Sequence, residues 1–348
     1  MSPPIKRTTS WLENPYDMII DVRSEGEFAE DHIPGAVNMP VLNDRQRAEI
    51  GTMYKQVGAF EAKRCGAALV ARNIAAHIES HLGDMPRDFS PLVYCWRGGQ
   101  RSGAMARILS EIGWQVTLID GGYKTYRKAV LDGLDTLPPQ LRVIMLRGRT
   151  GTAKTRILRA ATEVGAQVID LEGLASHRGS LLGREPGHPQ PTQRQFESRL
   201  FTTMRELDPA RPVFIEAESN KIGELHIPRA LWHRMREAPA LQVVVPLAAR
   251  VGFLIADYDH IVAEPERLKP LLSWVVTRIG HERVSAWQSC IDAGDWAGFV
   301  THVLEDHYDP AYDRSAAARQ HVDLGDLVVE SLDDREIARL ARNLATYE

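Results

Sequence analysis

Short apolar runs alternate along the chain with stretches whose apolar residues recur every three or four positions. In the first part, Asp17 to Val22 (DMIIDV), Leu92 to Trp96 (LVYCW) and Gln115 to Asp120 (QVTLID) predict buried strands. Gly66 to His81 and Arg101 to Gly113 carry helical spacing between them, and this order implies an α/β sheet with helical crossovers. Turn signals fall at Pro34-Gly35 and Gly121-Gly122, and the pair Pro138-Pro139, just after the helix-like Lys124 to Leu134, marks a linker.

A second αβ series follows at once, with strands expected at Arg142 to Leu146, Gln167 to Leu171, Val213 to Glu216 and Leu241 to Pro246. The chain from Ala248 to Leu304 reads as mostly helical, and an amphipathic helix is expected from Asp333 to Ala345. The fold class is therefore α/β, in two domains: residues 1–137, and residues 138–348 with a mostly helical C-terminal part. A length of 348 residues agrees, because single cores rarely grow past about 250–300 residues.

Composition narrows the picture. With 44% hydrophobic and 25% charged residues, and no apolar run of membrane-spanning length, the chain reads as globular and not membrane-bound. The polar start lacks the apolar core of a signal peptide, so a cytoplasmic location is expected. Cys65, Cys95 and Cys290 lack the close spacing of a zinc site or disulfide framework, and free thiols in a reducing compartment fit them. A net charge of −4 argues against coating nucleic acid by bulk charge but leaves room for a local basic patch. The arginine runs Arg142, Arg147, Arg149, Arg156, Arg159 and Arg229, Arg234, Arg236 are two candidates for such a patch, although most charged side chains are solvated surface.

Chemistry concentrates at two strand-to-helix loops. The first is Cys95-Trp96-Arg97-Gly98-Gly99-Gln100-Arg101-Ser102, where Gly98, Gly99 and a helix N-terminus form an anion nest and Arg97 and Arg101 add positive charge. Such surroundings favour a thiolate and make Cys95 the candidate nucleophile. A cysteine ending an apolar strand is by default a small buried hydrophobe, the reading given to Cys65 and Cys290 in their helices. The second loop runs Gly148-Arg149-Thr150-Gly151-Thr152-Ala153-Lys154-Thr155 between a strand and a helix, the context a Walker A loop needs. Gly148, Gly151, Thr152, Lys154 and Thr155 are its candidate phosphate-binding residues, with the Thr155 hydroxyl suited to Mg²⁺. Ala153 stands where glycine is usual, so its methyl group faces either a strained backbone or a crowded phosphate. Glu216 and Glu218, at the end of a later strand, are candidate acid or metal residues, and His177 and Arg178 are candidate substrate-binding residues beyond another strand end.

The first domain resembles a rhodanese domain, carried by Ile20-Asp21-Val22-Arg23, Glu27-Phe28, His32-Ile33-Pro34-Gly35-Ala36-Val37-Asn38, the Cys95 loop and Asp120-Gly121-Gly122-Tyr123, in that order. Five residues separate Cys95 from Arg101, a spacing also similar to that of rhodanese-related, cysteine-dependent phosphatases, although Tyr94 stands where many of those have histidine. Taken whole, from Ile20 to about Val262, the chain resembles the tRNA 2-selenouridine synthase family: CWRGGQRS, GRTGTAKT, DLEGLASHRGS, QPTQRQFE and EAESNKIGELHIP carry the resemblance. What it implies is a transferase acting on tRNA that carries wobble 2-thiouridine. Its substrates would be selenophosphate and geranyl diphosphate, with no tightly bound cofactor and with Mg²⁺ as the cation for a diphosphate. Two other readings stand beside it: a cysteine-dependent phosphatase or sulfurtransferase fused to a nucleotide-binding domain, and a non-catalytic tRNA-binding protein. Oligomeric state is not legible.

Overall fold

The computed structural model describes residues 2–178, 189–216, 219–259, 262, 266, 268, 272, 276–317 and 322–347. The chain divides into two compact units, Met1–Asp135 with Pro191–Thr202, and Thr136–Gln190 with Thr203–Glu348. Each has its own five-stranded sheet, parallel throughout. None of the helices among the described residues is long and apolar enough to cross a membrane.

In the first unit the strands are β1 (Lys6–Thr8), β2 (Met18–Asp21), β3 (Val37–Asn38), β4 (Pro91–Tyr94) and β5 (Thr117–Ile119), in the spatial order β1-β5-β4-β2-β3. All four residues of the central β4 are buried, as its continuous apolar run requires. The helices are α1 (Glu25–Glu30), α2 (Asp44–Gln56), α3 (Ala59–His77), α4 (Gln100–Ile112) and α5 (Tyr123–Thr136). Expected strand 92–96 ends early, at Tyr94, because the carbonyls of Cys95 and Trp96 accept hydrogen bonds from the Tyr123 and Lys124 amides (2.8 and 3.2 Å) instead of from a neighbouring strand. Expected helix 66–81 starts earlier, at Ala59. Neither α2, which has no fully buried residue, nor the edge strand β1 has an apolar period to betray it, and the start of α2 is marked only by the Asn43/Gln46 capping box.

The second unit holds β6 (Arg142–Arg147), α6 (Lys154–Glu163), β7 (Gln167–Ile169), α7 (Leu171–Ala175), β8 (Pro212–Glu216), the hairpin β9 (Lys221–Ile222) and β10 (Leu225–His226), α9 (Arg229–Glu237), β11 (Ala240–Val244), α10 (Leu247–Asp257) and β12 (Asp323–Val328), while α8 (Gln193–Arg205), between α7 and β8 in the chain, lies mostly in the first unit. The sheet order is β12-β11-β6-β8-β7, so connections leave β6 in opposite directions, and the crevice at its C-terminal end is where open α/β sheets bind ligands. The last helix, Asp334–Ala345, packs Ile337, Leu340 and Leu344 with Ile157 and Leu158 of α6 and Ile144 and Leu146 of β6. A separate apolar cluster of Leu268, Leu272, Val284, Trp287, Ile291 and Phe299 forms the helical C-terminal part. The polar edge strand β12 follows no apolar run and is held by backbone bonds to β11.

One stretch of the expected second domain belongs with the first unit. Over Pro191–Thr202, which includes most of α8, Arg194 pairs with Glu30 at 2.7 Å, Glu197 pairs with Arg127, and the Phe201 ring lies where a side chain on Gly133 would have to be.

At the centre of the first unit sits a buried cation. The Arg23 guanidinium forks onto Asp21 (Nη2 to Oδ2 2.6 Å, Nε to Oδ1 3.0 Å), donates to the Asp31 carbonyl at 2.6 Å and stacks 4.1 Å from the centroid of the Tyr123 ring. Burial opposes that charge, yet the hydrogen bonds and charge of Asp21 hold the Arg23 pKa above its ordinary value. Arg23→Leu leaves the Asp21 carboxylate buried without its partner and is expected to cost about 3–5 kcal/mol, read as a lowered urea midpoint.

Candidate functional site

The Cys95 loop is closed by backbone contacts that only glycine permits. Gly98 and Gly122 both adopt left-handed conformations (φ +64° and +61°), and a Cβ on Gly122 would stand 2.2 Å from the Cys95 carbonyl oxygen and 2.6 Å from the Gly98 nitrogen. Asp120-Gly121-Gly122-Tyr123 is thus the seat on which the cysteine loop rests. Cys95 follows β4, is only 3% exposed, and has the buried Ser102 hydroxyl 3.2 Å from its sulfur. That hydroxyl also lies 3.3 Å from the Gly99 carbonyl, and its single proton serves one acceptor at a time.

A cleft of about 640 Å³ opens beside the loop, lined by Glu27, Glu30, Arg47, Trp96, Arg97, Gln100 and Arg101. Here the structure departs from the expectation that both loop arginines serve the thiol. Arg97 is exposed in the cleft, but Arg101 forks onto Glu27 (2.7 and 3.3 Å), and Arg47 approaches the same carboxylate at 3.6 Å. Burial would raise the Glu27 carboxyl, but Arg101 and the Ser24 amide, helped by Arg47, hold its pKa below the usual value. Glu27 was visible in the sequence only as part of the rhodanese pattern, without this role.

In the second unit the phosphate loop leaves β6 and enters α6, and a cavity of about 690 Å³ stands over it. Gly148, Gly151, Thr152, Lys154 and Thr155 all line this cavity, and the fold brings His177 and Arg178 to it from beyond α7. Lys154 Nζ donates to the Gly148 carbonyl at 2.9 Å, and Thr152 Oγ1 to the Arg149 carbonyl at 2.8 Å, so Thr152 shapes the loop. Gly151 has φ +83°, and a Cβ there would meet Leu254 at 2.9 Å. The buried Arg250 forks onto Asp309 (2.8 and 2.7 Å) and donates to the Thr150 carbonyl at 3.1 Å, pinning the loop from outside. Arg178 donates to Asp257 Oδ2 at 2.7 Å and stacks on Tyr258.

Ala153 does occupy the left-handed region, with φ 57° and ψ 28°, a conformation that costs an L-residue about 1–2 kcal/mol. Its side chain joins the apolar cluster of β6 and α6, an anchor that offsets part of the strain.

Thr155 Oγ1 lies 2.7 Å from Glu172 Oε2 and 2.9 Å from Glu216 Oε2, and the Glu172 amide donates to Glu216 Oε1 at 3.1 Å. One hydroxyl proton can be donated to only one of these two carboxylates at a time. Burial raises the Glu172 pKa, with Asp170 adding to it and Thr155, Lys154 and Arg159 opposing. Among the described residues no three His, Cys, Asp or Glu side chains gather as a metal cage. Two carboxylates and a hydroxyl beside a phosphate cradle are nevertheless the donors Mg²⁺ takes when phosphate oxygens and water complete its shell. Glu216 thus falls in the site, Glu218 lies outside the described residues, as do Gly179 and Ser180, and Glu172 had no assigned role in the sequence reading beyond its place after a strand end. The cavity's aromatic wall, Phe253, Tyr258, Tyr308 and Tyr312, was likewise invisible, since it comes from distant helical segments.

A carboxyl pKa raised by folding means stability that is full below the ordinary value of 4.5 and is lost as pH rises through the folded value. Glu172→Gln is therefore expected to raise the melting temperature at neutral pH, with the gain over the parent vanishing below about pH 4.5 in thermal unfolding scans.

Comparison with known proteins follows the same two-part division. The family model described as the tRNA 2-selenouridine synthase AAA domain matches residues 141–327, and that of the rhodanese-like domain matches residues 7–129. A tRNA 2-selenouridine synthase of Nitrosomonas europaea is 34% identical over 270 residues, covering 75% of this chain and 70% of that protein. Proteins of the same description from Marinobacter nauticus (31% over 338 residues, 87% of this chain and 89% of that one) and Sulfurovum sp. (30% over 323 residues, 85% and 87%) align over still more of the chain. With both domain models in this order and relatives matched across most of its length, the chain belongs to the tRNA 2-selenouridine synthase family.

Proposed function

We propose that the protein is a tRNA-modifying transferase that replaces sulfur by selenium in wobble 2-thiouridine, with selenophosphate as the selenium donor and an S-geranyl intermediate made from geranyl diphosphate. The observation that carries this reading is the composition of the cavity over the phosphate loop. Its lining combines Lys154 and Thr155 of the phosphate loop with Phe253, Leu254, Tyr258, Tyr308 and Tyr312, among further polar residues that include His177, Arg178 and Asp257. A diphosphate joined to an unsaturated hydrocarbon chain would use both the loop cations and these aromatic and aliphatic side chains. A nucleoside diphosphate would present hydroxyl-bearing ribose to this wall instead.

In the first step the uridine 2-sulfur attacks C1 of the geranyl group, the C–O bond breaks and diphosphate leaves. Lys154 releases the Gly148 carbonyl and turns to the departing anion, while the loop amides receive its oxygens. Mg²⁺, held by Thr155, Glu172 and Glu216, would supply neutralising charge to the diphosphate. In the second step selenium from selenophosphate bonds to C2, geranylthiolate departs, and water takes the phosphoryl group. Cys95, with Ser102 as hydrogen-bond donor, handles selenium here, and reaching its sulfur requires the loop over it to open.

These assignments separate the two products. Cys95→Ser is expected to abolish 2-selenouridine while S-geranyl-2-thiouridine still accumulates. Lys154→Ala is expected to lower both, since the first step feeds the second. Mass spectrometry of nucleosides from one thiolated tRNA, incubated with selenophosphate and geranyl diphosphate, reads both outcomes. A serine variant forming selenouridine at the parent rate overturns the role of Cys95, and unchanged geranyl transfer by Lys154→Ala places the diphosphate elsewhere.

A further inference from the structure

Four of the eight arginines that the sequence singled out for RNA have partners inside the second unit. Arg149 pairs with Asp313, Arg156 with Asp334 and Arg159 with Asp170, while Arg234 donates to the Leu141 carbonyl. A different surface has the required character. At the turn between α2 and α3, Tyr54, Val57 and Phe60 are 56%, 69% and 74% exposed, three neighbouring large apolar side chains without cover. The hairpin they cap, residues 44–77, carries six basic side chains (Arg45, Arg47, Lys55, Lys63, Arg64, Arg72) against three acidic ones, a net +3 in a chain whose total is −4.

Helix geometry connects this tip to the cysteine cleft. Arg47 lines the cleft, and Tyr54, seven residues on, lies on the same face two turns away, about 10 Å along the axis. That is about three stacked nucleotide steps of 3.4 Å. Between them, on the same stripe, is Gly51. Glycine is a poor residue for a helix interior, yet nothing lies within 4 Å of where its Cβ would be, so no contact inside this chain calls for it. A missing side chain on an open face is what close approach of a ligand backbone needs.

We propose that the face formed by Arg47, Gly51 and Tyr54, continued by Phe60 at the tip, is where the unpaired nucleotides of the RNA substrate dock. It rests on the tRNA reading above. Single-stranded RNA is held by bases stacked on exposed aromatic rings with basic side chains along its phosphates, and this face offers both beside the cleft next to Cys95. The ribose-phosphate backbone passes over Gly51, a base stacks on Tyr54, and Arg47, half exposed despite its contact with Glu27, meets a phosphate.

Because α2 contains no fully buried residue, substitutions on this face leave the core intact, which circular dichroism and melting temperature verify. Binding of thiolated tRNA to the whole protein is measured by fluorescence anisotropy across a salt series. Tyr54→Ala and Phe60→Ala are each expected to weaken binding about tenfold with an unchanged salt slope, and Tyr54→Phe to restore it. Arg47→Ala is expected to reduce the slope by about one. Gly51→Ala is expected to raise the melting temperature while weakening binding, opposite signs that a merely structural role would not produce. Parent-like binding by Tyr54→Ala, Phe60→Ala and Gly51→Ala overturns the docking face while leaving the tRNA reading intact. Loss of a dimer in sedimentation, with tRNA binding unchanged, makes the tip an interface between copies and overturns it too. A parent protein that binds no tRNA overturns both readings together.

Discussion

The cysteine loop depends on a positive charge that scarcely reaches water. Arg23 holds Asp21 at the end of β2, the Asp31 carbonyl beyond α1 and the face of Tyr123 at the start of α5. The Tyr123 amide in turn binds the Cys95 carbonyl, and the Tyr123 hydroxyl donates to Asp31 at 2.7 Å. A buried ion pair is not in itself a source of stability, because desolvation consumes most of its attraction. What it supplies is geometry: three chain segments meet at one planar group with fixed donor directions, and the loop bearing the thiol is seated on one of them.

The phosphate loop meets the same demand from the opposite side. Its glycines free the backbone amides to face a ligand, which leaves carbonyls that need donors of their own. Arg250, Lys154 and the Thr152 hydroxyl supply these to Thr150, Gly148 and Arg149. Lys154 is the one of the three whose partner is exchangeable, since a phosphate competes for its ammonium group while Arg250 stays locked on Asp309. The loop is thus held by two fixed contacts and one that an anion could replace.

Charge balance distinguishes the two sites. Around Cys95 the cations Arg101 and Arg47 gather on Glu27, whereas around Thr155 two carboxylates, Glu172 and Glu216, share one hydroxyl. The first arrangement leaves Arg97 exposed in the cleft, and in the second burial raises the Glu172 pKa.

Local sequence determined a good deal by itself. The apolar runs located the inner strands to within a residue or two, because a strand buried on both faces must be continuously apolar. The two glycine-bearing loops stood out because their tight backbone turns admit few other residues. Ala153 stood out for the same reason, and its left-handed backbone was there to be found. The strands β1 and β12 left no such trace, since an edge is held by backbone bonds whatever its side chains. Nor did pattern assign Pro191–Thr202 to the first unit, pair Arg101 with Glu27 or raise the aromatic wall over Lys154. These contacts join residues tens to more than a hundred positions apart, and periodicity carries no information about which distant segments meet. Tertiary packing alone decided them, because the partners of a charge or a ring are chosen by where the chain returns in space.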